Sequence, residues 1–415
     1  MPRLTRDRTT WLTYAQLGLW GFFLYGFGPV VPLLRDEQGT SAAVAGLHST
    51  GIAVGALAGG ALFAPAARRL GRGPAIWLGL AGVAAGVTAL GLLRPLPATI
   101  AAVAVIAAFG MMVISGINVV LTAHHGPGAP AALSEANAAC AGMGILAPLV
   151  IGATVDAGLG WRPVMAVEVG LITLVAVAAL TFRVRPPKTD SAVAATDAPA
   201  SGSTATVQDL RQGSVPGRLP RAYWIAWVLM SVTGSIEVCL SLWTADVLRT
   251  HAGLDAGGAS AAVAAIVCGM FVGRLAGGRL ALRWRPVPLL LAALTVSLAG
   301  FALFWSAPVG WLAVTGLVVL GLGNALHYPL AISIALTAAG PAADKAAGWA
   351  SYSMAVGFGI APVALGWVAD GVGPHLAFLL LPGFIAAAML LTVRLGRALR
   401  LTSPTDDRTP VSAAA

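Results

Sequence analysis

Residues 51–62 read GIAVGALAGGAL, and residues 269–280 read GMFVGRLAGGRL, with eight of the twelve positions identical at an offset of 218. Both copies place glycine at i, i+4 and i+8: Gly51, Gly55 and Gly59, then Gly269, Gly273 and Gly277. On an α-helix that spacing makes a ridge of small residues along one face, where a second helix can come close. A further pair of stretches matches at an offset of 214. Ala147, Pro148, Gly152 and Asp156 correspond to Ala361, Pro362, Gly366 and Asp370, and just upstream Gly126-Pro127 corresponds to Gly340-Pro341. A general bias toward glycine and alanine does not keep several motifs in one order at a near-constant offset. The chain reads as an internal duplication.

The apolar runs around these motifs identify the solvent. Of 415 residues, 58% are hydrophobic and 10% charged, whereas soluble domains run at roughly 45–50% and about 25%. A mean hydropathy of +0.84 excludes most soluble enzymes, secreted disulfide scaffolds and disordered chains. Charges, prolines and glycines divide the chain into twelve apolar segments, at 11–34, 42–65, 74–93, 98–122, 134–155, 162–182, 222–247, 258–282, 287–306, 309–336, 347–369 and 376–393. Each is near the roughly 20 residues that cross a bilayer as a helix. Lipid leaves helices as the fitting element here, because these runs are too long and too uniformly apolar for barrel strands. The first run follows Arg3, Arg6 and Arg8 but is too long for a signal-peptide core. Cys140, Cys239 and Cys268 all fall inside apolar runs, so no disulfide framework is expected.

Lys and Arg set the orientation. With the N-terminus inside, the inner segments hold nineteen of the 25 basic residues, and the outer loops hold only Arg35, Arg94, Arg162 and Arg249. Both termini are therefore expected in the cytoplasm. The net charge of +9 marks topology, and no nucleic-acid partner is expected. The longest connection contains Ser191 to Val207, a run of small and polar residues that cannot bury a core. The domain expectation is a six-helix half at 1–183, a flexible cytoplasmic linker at 184–220, a second six-helix half at 221–400 and a tail at 401–415. The fold class is an all-α membrane protein, two six-helix pseudo-repeats around a central cavity.

At this level the chain resembles the major facilitator superfamily across essentially its whole length. The family's loop signature between spans two and three is matched in part by GALFAPAARRLGRG, through Gly60, Leu62, Arg69, Gly71 and Arg72. The second copy, GRLALRWR, keeps Gly278, Leu280 and Arg283. Both copies lack the family's aspartate, with Ala64 and Leu282 at the aligned positions, so an Asp–Arg latch is not carried over. In span five, Gly144, Pro148 and Gly152 resemble a worn form of the Gly-Pro motif associated with antiporters. The span-four arginine of many proton-coupled exporters is absent.

Ionisable groups deep in a membrane are functional candidates by default. Glu237, near the middle of span seven, shares a helical stripe with Thr233, Ser241 and Thr244, suited to a water-filled cavity and to loading and releasing a proton. Its other reading is a protonated group bonded to a neighbouring helix. Arg274 replaces Ala56 of the first half; it suits an anionic group, a pairing with Glu237, or snorkelling to the cytoplasm. Arg279 reads as interfacial or as a gate element. Asn324, His327 and Tyr328 cluster near the centre of span ten, for solute or proton contact or for helix–helix hydrogen bonding. Tyr25, near mid-depth on span one, is placed to face the cavity. Glu168 is expected at the outer interface, and Asp156 and Asp370 as structural residues. His124-His125 has no further metal ligand in sequence reach.

No HExxH, GxSxG, Walker loop or CxxC pattern is present, so an enzyme or ATP-driven pump is not expected. The expectation is a monomeric secondary transporter in the cytoplasmic membrane. It would need no cofactor, with the proton gradient as driving force, a small-molecule substrate and the lipid bilayer as surroundings. The span-five pattern leans the reading toward efflux by antiport. A proton symporter importing a sugar-like nutrient is the competing reading, and a non-transporting membrane sensor the remote one.

Overall fold

The computed structural model describes residues 6–182, 219–281 and 283–402. The expected 184–220 linker falls almost wholly outside these residues, and the 401–415 tail all but its first two. Among the described residues, twelve helices are long and apolar enough to cross a membrane: α1 (Arg8–Gln38), α2 (Ala42–Leu70), α3 (Arg72–Leu92), α4 (Leu96–His125), α5 (Ala131–Asp156), α6 (Arg162–Thr181), α7 (Arg221–Thr250), α8 (Ala256–Gly277), α9 (Pro286–Ser306), α10 (Gly310–Ala339), α11 (Trp349–Val372) and α12 (Pro374–Arg400). No strand occurs among the described residues.

These bounds follow the apolar runs closely, and the larger differences have physical causes. The first helix continues through the charged residues Arg35, Asp36 and Glu37, because each of them finds an ion-pair partner. The last helix continues past Val393, because Arg394 and Arg397 lie on its exposed face while Leu395 is buried on the other. Local chemistry sets the first helix ends. Asp7 accepts a hydrogen bond from the Thr10 amide at 2.9 Å at the start of α1, and Gly39 ends it in the left-handed region at φ +61°, where glycine carries no steric penalty. Three helices are interrupted: α8 at Val263, α10 at Ala325–Leu326 and α12 at Phe378–Leu379.

The two glycine ridges meet equivalent partners. On α2, Gly51, Gly55 and Gly59 lie against the α4 backbone at Ile100, Ala104 and Ala108; on α8, Gly269, Gly273 and Gly277 lie against α10 at Val318, Leu322 and Leu326. The duplication in sequence is thus a duplication in packing. On α1, Gly18 and Gly21 pack against α5 at Ala139–Met143, and Gly28 packs against Ser241 of α7, in the other half.

The halves, α1–α6 and α7–α12, join at the end of the bundle that carries the α1–α2 loop, here called the far side; the other end, where α1 begins and α12 ends, is the terminal side. Arg35 on α1 pairs with Asp246 on α7 at 2.5 Å, and Arg249 pairs with Asp36 at 2.8 Å. Asp370, at the end of α11, accepts from the Ala42 and Ala43 amides at 2.7 and 3.0 Å, capping the start of α2 across the interface. Its counterpart Asp156 lies against Gly257 at the start of α8. Deeper in, Ser49 and Thr50 donate to the Phe358 and Gly359 carbonyls of α11. Nearer the terminal side, Gly60 on α2 has no described atom within 4 Å of where a Cβ would stand.

One residue departs from its expected place. Glu168 does not reach the interface: it is wholly buried, because α6 packs on α3 and α1 and carries Glu168 on that inward face. Neither carboxyl oxygen has a hydrogen-bond partner among the described residues.

The glycine contacts are directly testable. Gly55→Ala and Gly273→Ala would each drive a Cβ into neighbouring backbone and are expected to cost about 1–3 kcal/mol. The reading is a lowered thermal unfolding midpoint of the purified protein in detergent. Gly60→Ala, with open space before it, should leave the midpoint unchanged.

Candidate functional site

Close approach of α1 to α7 at Gly28 and Ser241 brings both helices to the edge of a cavity of about 100 Å³ at mid-depth. It is lined by residues of α1, α2, α7, α8, α10 and α11, so both halves contribute. Ten of the fifteen lining residues are apolar, among them Phe27, Ile266, Met270 and Phe358; the polar ones are Tyr25, Glu237, Ser241 and Asn324. The seam between the halves lies on the far side of the cavity, where Arg35–Asp246, Arg249–Asp36 and the Asp370 cap join them.

Several groups singled out in the sequence converge here. Tyr25 lies with its ring edge against Gly144 of α5, so the glycine of the span-five motif is the space the ring occupies. Arg274 reaches in from α8 and donates to the Tyr25 hydroxyl at 3.3 Å. Arg274 is also the charged side chain that acts on Glu237, although no ion pair within 4 Å joins them among the described residues. Tyr328, one residue after the helix resumes, is half-buried and is not among the residues that line the cavity. Asn324 lines the cavity from the α10 side, 3% exposed. The wall of the cavity therefore carries Tyr25, Glu237, Ser241 and Asn324 among apolar residues, with Arg274 bonded to Tyr25.

His327 lies elsewhere. It is buried, with Nε2 3.1 Å from the Ser297 hydroxyl of α9, and it does not line the cavity. Of the polar stripe on α7, Glu237 and Ser241 reach the cavity, while Thr233 and Thr244 bond to the Met230 and Leu240 carbonyls of their own helix.

The motif residues divide by side. Gly152 packs against Gly257 and Ala261 of α8, at the far-side seam, and Pro148 stands within α5 four residues earlier. On the terminal side Gly71 forms the α2–α3 turn at φ +90°, Arg69 and Arg283 are exposed, and Arg72 is half-buried. The surroundings of Gly278 and Arg279 lie outside the described residues.

Two groupings escaped the sequence reading. One is the Arg35–Asp246 and Arg249–Asp36 crossing, whose only signal was charge at the ends of α1 and α7. The other ties the terminal end of α1 to α4 and α5. Arg6 forms a two-point ion pair with Glu135, Tyr14 donates to the same carboxylate, Asp7 meets His124 at 2.8 Å, and Thr10 meets His125 at 2.9 Å. Against burial, which works upward, bonds from Thr10 and His124 hold the Asp7 carboxyl below its ordinary range. No group of three potential metal ligands occurs among the described residues.

Comparison with known proteins places this arrangement. The family description Major Facilitator Superfamily matches residues 16–347 and, in a second match, 250–415. Among solved structures, a bacterial homologue of the human lysosomal transporter Spinster, inward-facing and unoccupied, is 15% identical with a TM-score of 0.73, covering 96% of this chain and 99% of that one. A mutant of the nucleoside transporter NupG is 14% identical with a TM-score of 0.75, covering 93% and 98%. A mutant of the E. coli fucose:proton symporter FucP is 18% identical with a TM-score of 0.58, again covering 93% and 98%. No curated protein matches by sequence.

The far-side seam has a chemical readout. With the three native cysteines replaced, Ser241→Cys should resist a small charged thiol reagent applied from the far side. Ready reaction from that side would contradict the closed seam.

Proposed function

The chain belongs to the major facilitator superfamily, and from that premise we propose that it is a secondary active transporter carrying a small organic solute across the cytoplasmic membrane by alternating access. One observation carries the reading: a cavity lined by both duplicated halves, with polar contacts joining the halves on its far side and ionisable groups at its wall. The terminal side is assigned to the cytoplasm on the distribution of Lys and Arg. The far-side contacts to be released on rocking are ion pairs and hydrogen bonds at the rim. Water replaces such bonds at small net cost when that side opens.

Coupling is assigned to protons and to Glu237. The Arg274 guanidinium bonds to the Tyr25 hydroxyl and acts on the Glu237 carboxylate through its charge, so protonating the acid changes the balance that holds the arginine. That exchange links a proton to the position of α8 against α1 and α7. The proton gradient supplies the free energy, and a monomer is the proposed unit.

Export by antiport is favoured over import of a sugar-like nutrient. Gly144, Pro148 and Gly152 carry the antiporter-like pattern, and the mainly apolar lining offers a polyhydroxylated solute few partners for its hydroxyls.

Inside-out vesicles with an imposed pH gradient test this. Gradient-driven uptake of solute is expected, and Glu237→Gln should reduce it to the level of empty vesicles while exchange without a gradient persists. Absence of any gradient-dependent flux would sink the transport reading; unchanged pH dependence in Glu237→Gln would remove Glu237 from the coupling.

A further inference from the structure

The duplication places Asp255 where the first half has Ser41, at the same offset of 214 that relates Asp156 to Asp370. Ser41 caps α2 and Asp255 caps α8: the Val44 amide donates to the Ser41 hydroxyl at 3.3 Å, and the Gly258 amide to the Asp255 carboxylate at 3.2 Å. At the α2 end of the far-side seam, α11 supplies Asp370, which accepts from the Ser41 hydroxyl and from the Ala42 and Ala43 amides. At the α8 end, α5 supplies Asp156, whose carboxyl occupies the space left by the missing side chain of Gly257. The two contacts follow one plan and differ in the capping residue.

That difference decides what holds each contact. A serine hydroxyl donates to a carboxylate as it stands, whereas an ionised carboxylate can only accept. Asp255 also takes the Gly258 and Gly257 amides for itself, and these bonds hold its carboxyl below the ordinary range. The partner left to Asp156 among the described residues is the Asp255 carboxyl. Two ionised carboxylates facing each other across the halves repel. With one proton between them, Asp156 donates, Asp255 accepts, and the halves are joined. Both side chains are exposed, so water on the far side delivers that proton directly.

The other charged groups at this end are engaged with one another. Arg35 pairs with Asp36 and Asp246, Arg249 with Asp36, and Arg94 and Arg162 with Glu37, while His251 of α7 stacks on His375 of α12. The charged group that acts on Asp156 is Asp255.

We propose that Asp156 and Asp255 form a proton-operated latch in the far-side seam, closing α5 onto α8 in an acidic medium and releasing it when both carboxylates are ionised. The sign follows from the proton count. The closed latch holds one proton more than the open one, so acid favours closure and rising pH favours opening. Glu237 lies at mid-depth in the cavity wall, whereas this pair stands at the rim in contact with water. With the far side assigned to the outside, a step that rests on the orientation given above, falling external pH biases the protein toward the state shut to that side.

The test is the distance between spin labels at Leu159→Cys, just after α5, and Val309→Cys, just before α10, by double electron–electron resonance on the purified full chain. Both positions are exposed, and Gly310, next to Val309, lies against Leu254 beside the latch. The three native cysteines are replaced, Glu237→Gln takes the cavity acid out of the titration, and EDTA excludes bridging metal ions. Between about pH 4 and about pH 7.5, near and well above the ordinary carboxylate range, the ratio of short- to long-distance populations is expected to fall about threefold or more. Asp255→Ser, which copies the arrangement of the first half, should keep the short distance at both pH values. Asp156→Asn, whose amide donates without a borrowed proton, should do the same. An unchanged ratio in the parent, a change of opposite sign, pH dependence retained in both variants, or labels held apart at both pH values in both variants each overturns the proposal. The readout needs neither solute nor gradient, so its outcome is separate from that of the vesicle transport assay.

Discussion

Close approach of helix backbones at glycine is the contact on which the rest of this protein depends. Lipid tails are as apolar as leucine, so burial of apolar surface does not press one helix onto another inside a bilayer. What remains is dispersion between closely fitted surfaces, and that requires the absence of side chains where the helices cross. The ridge at Gly51, Gly55 and Gly59 fixes α2 on α4, and that at Gly269, Gly273 and Gly277 fixes α8 on α10. Gly28 then lets α1 meet α7 across the two halves. Tyr25, three residues before Gly28, and Ser241 and Glu237 on the facing helix owe their common cavity to that crossing.

Polar groups follow from this frame. Those at the far-side rim are paired across the interface: Arg35 with Asp246, Arg249 with Asp36, Asp370 with the first amides of α2. Those in the cavity are only partly paired. Arg274 holds Tyr25 by one bond, Glu237 has no ion-pair partner within 4 Å among the described residues, and the Asn324 amide oxygen is unused. Among the described residues, ion pairs between the halves are thus a feature of the rim, and in the cavity the charged group that bonds across is Arg274, to Tyr25. The break in α10 beside the cavity fits the same logic, since irregular backbone at membrane depth is tolerated where it lines a cavity or is buried in protein.

Much of the fold was legible because a membrane helix is a long, simple signal: an apolar run with a charge or a turn at each end. The repeat was legible because packing ridges are made of glycine, and glycine is conspicuous at fixed spacing. The site was less so. Asn324, His327 and Tyr328 read as one cluster on a continuous helix, but the turn at Ala325–Leu326 separates them, leaving Asn324 at the cavity and sending His327 to Ser297 of α9. Glu168 read as interfacial from its depth alone, whereas its direction, toward α1 and α3, depends on how α6 rotates about its own axis. No pattern within a single apolar helix encodes that rotation when its faces are equally apolar.

From the order of residues alone follow the twelve spans, the duplication and the short set of ionisable groups in the membrane, because each depends on composition along one helix. The pairing of Arg35 with Asp246, the bond from Arg274 to Tyr25, the unpaired amide oxygen of Asn324 and the joined far side came only with the folded chain. Each of these is a relation between helices far apart in sequence. Their distances are set by where the glycine ridges let one backbone come to rest against another.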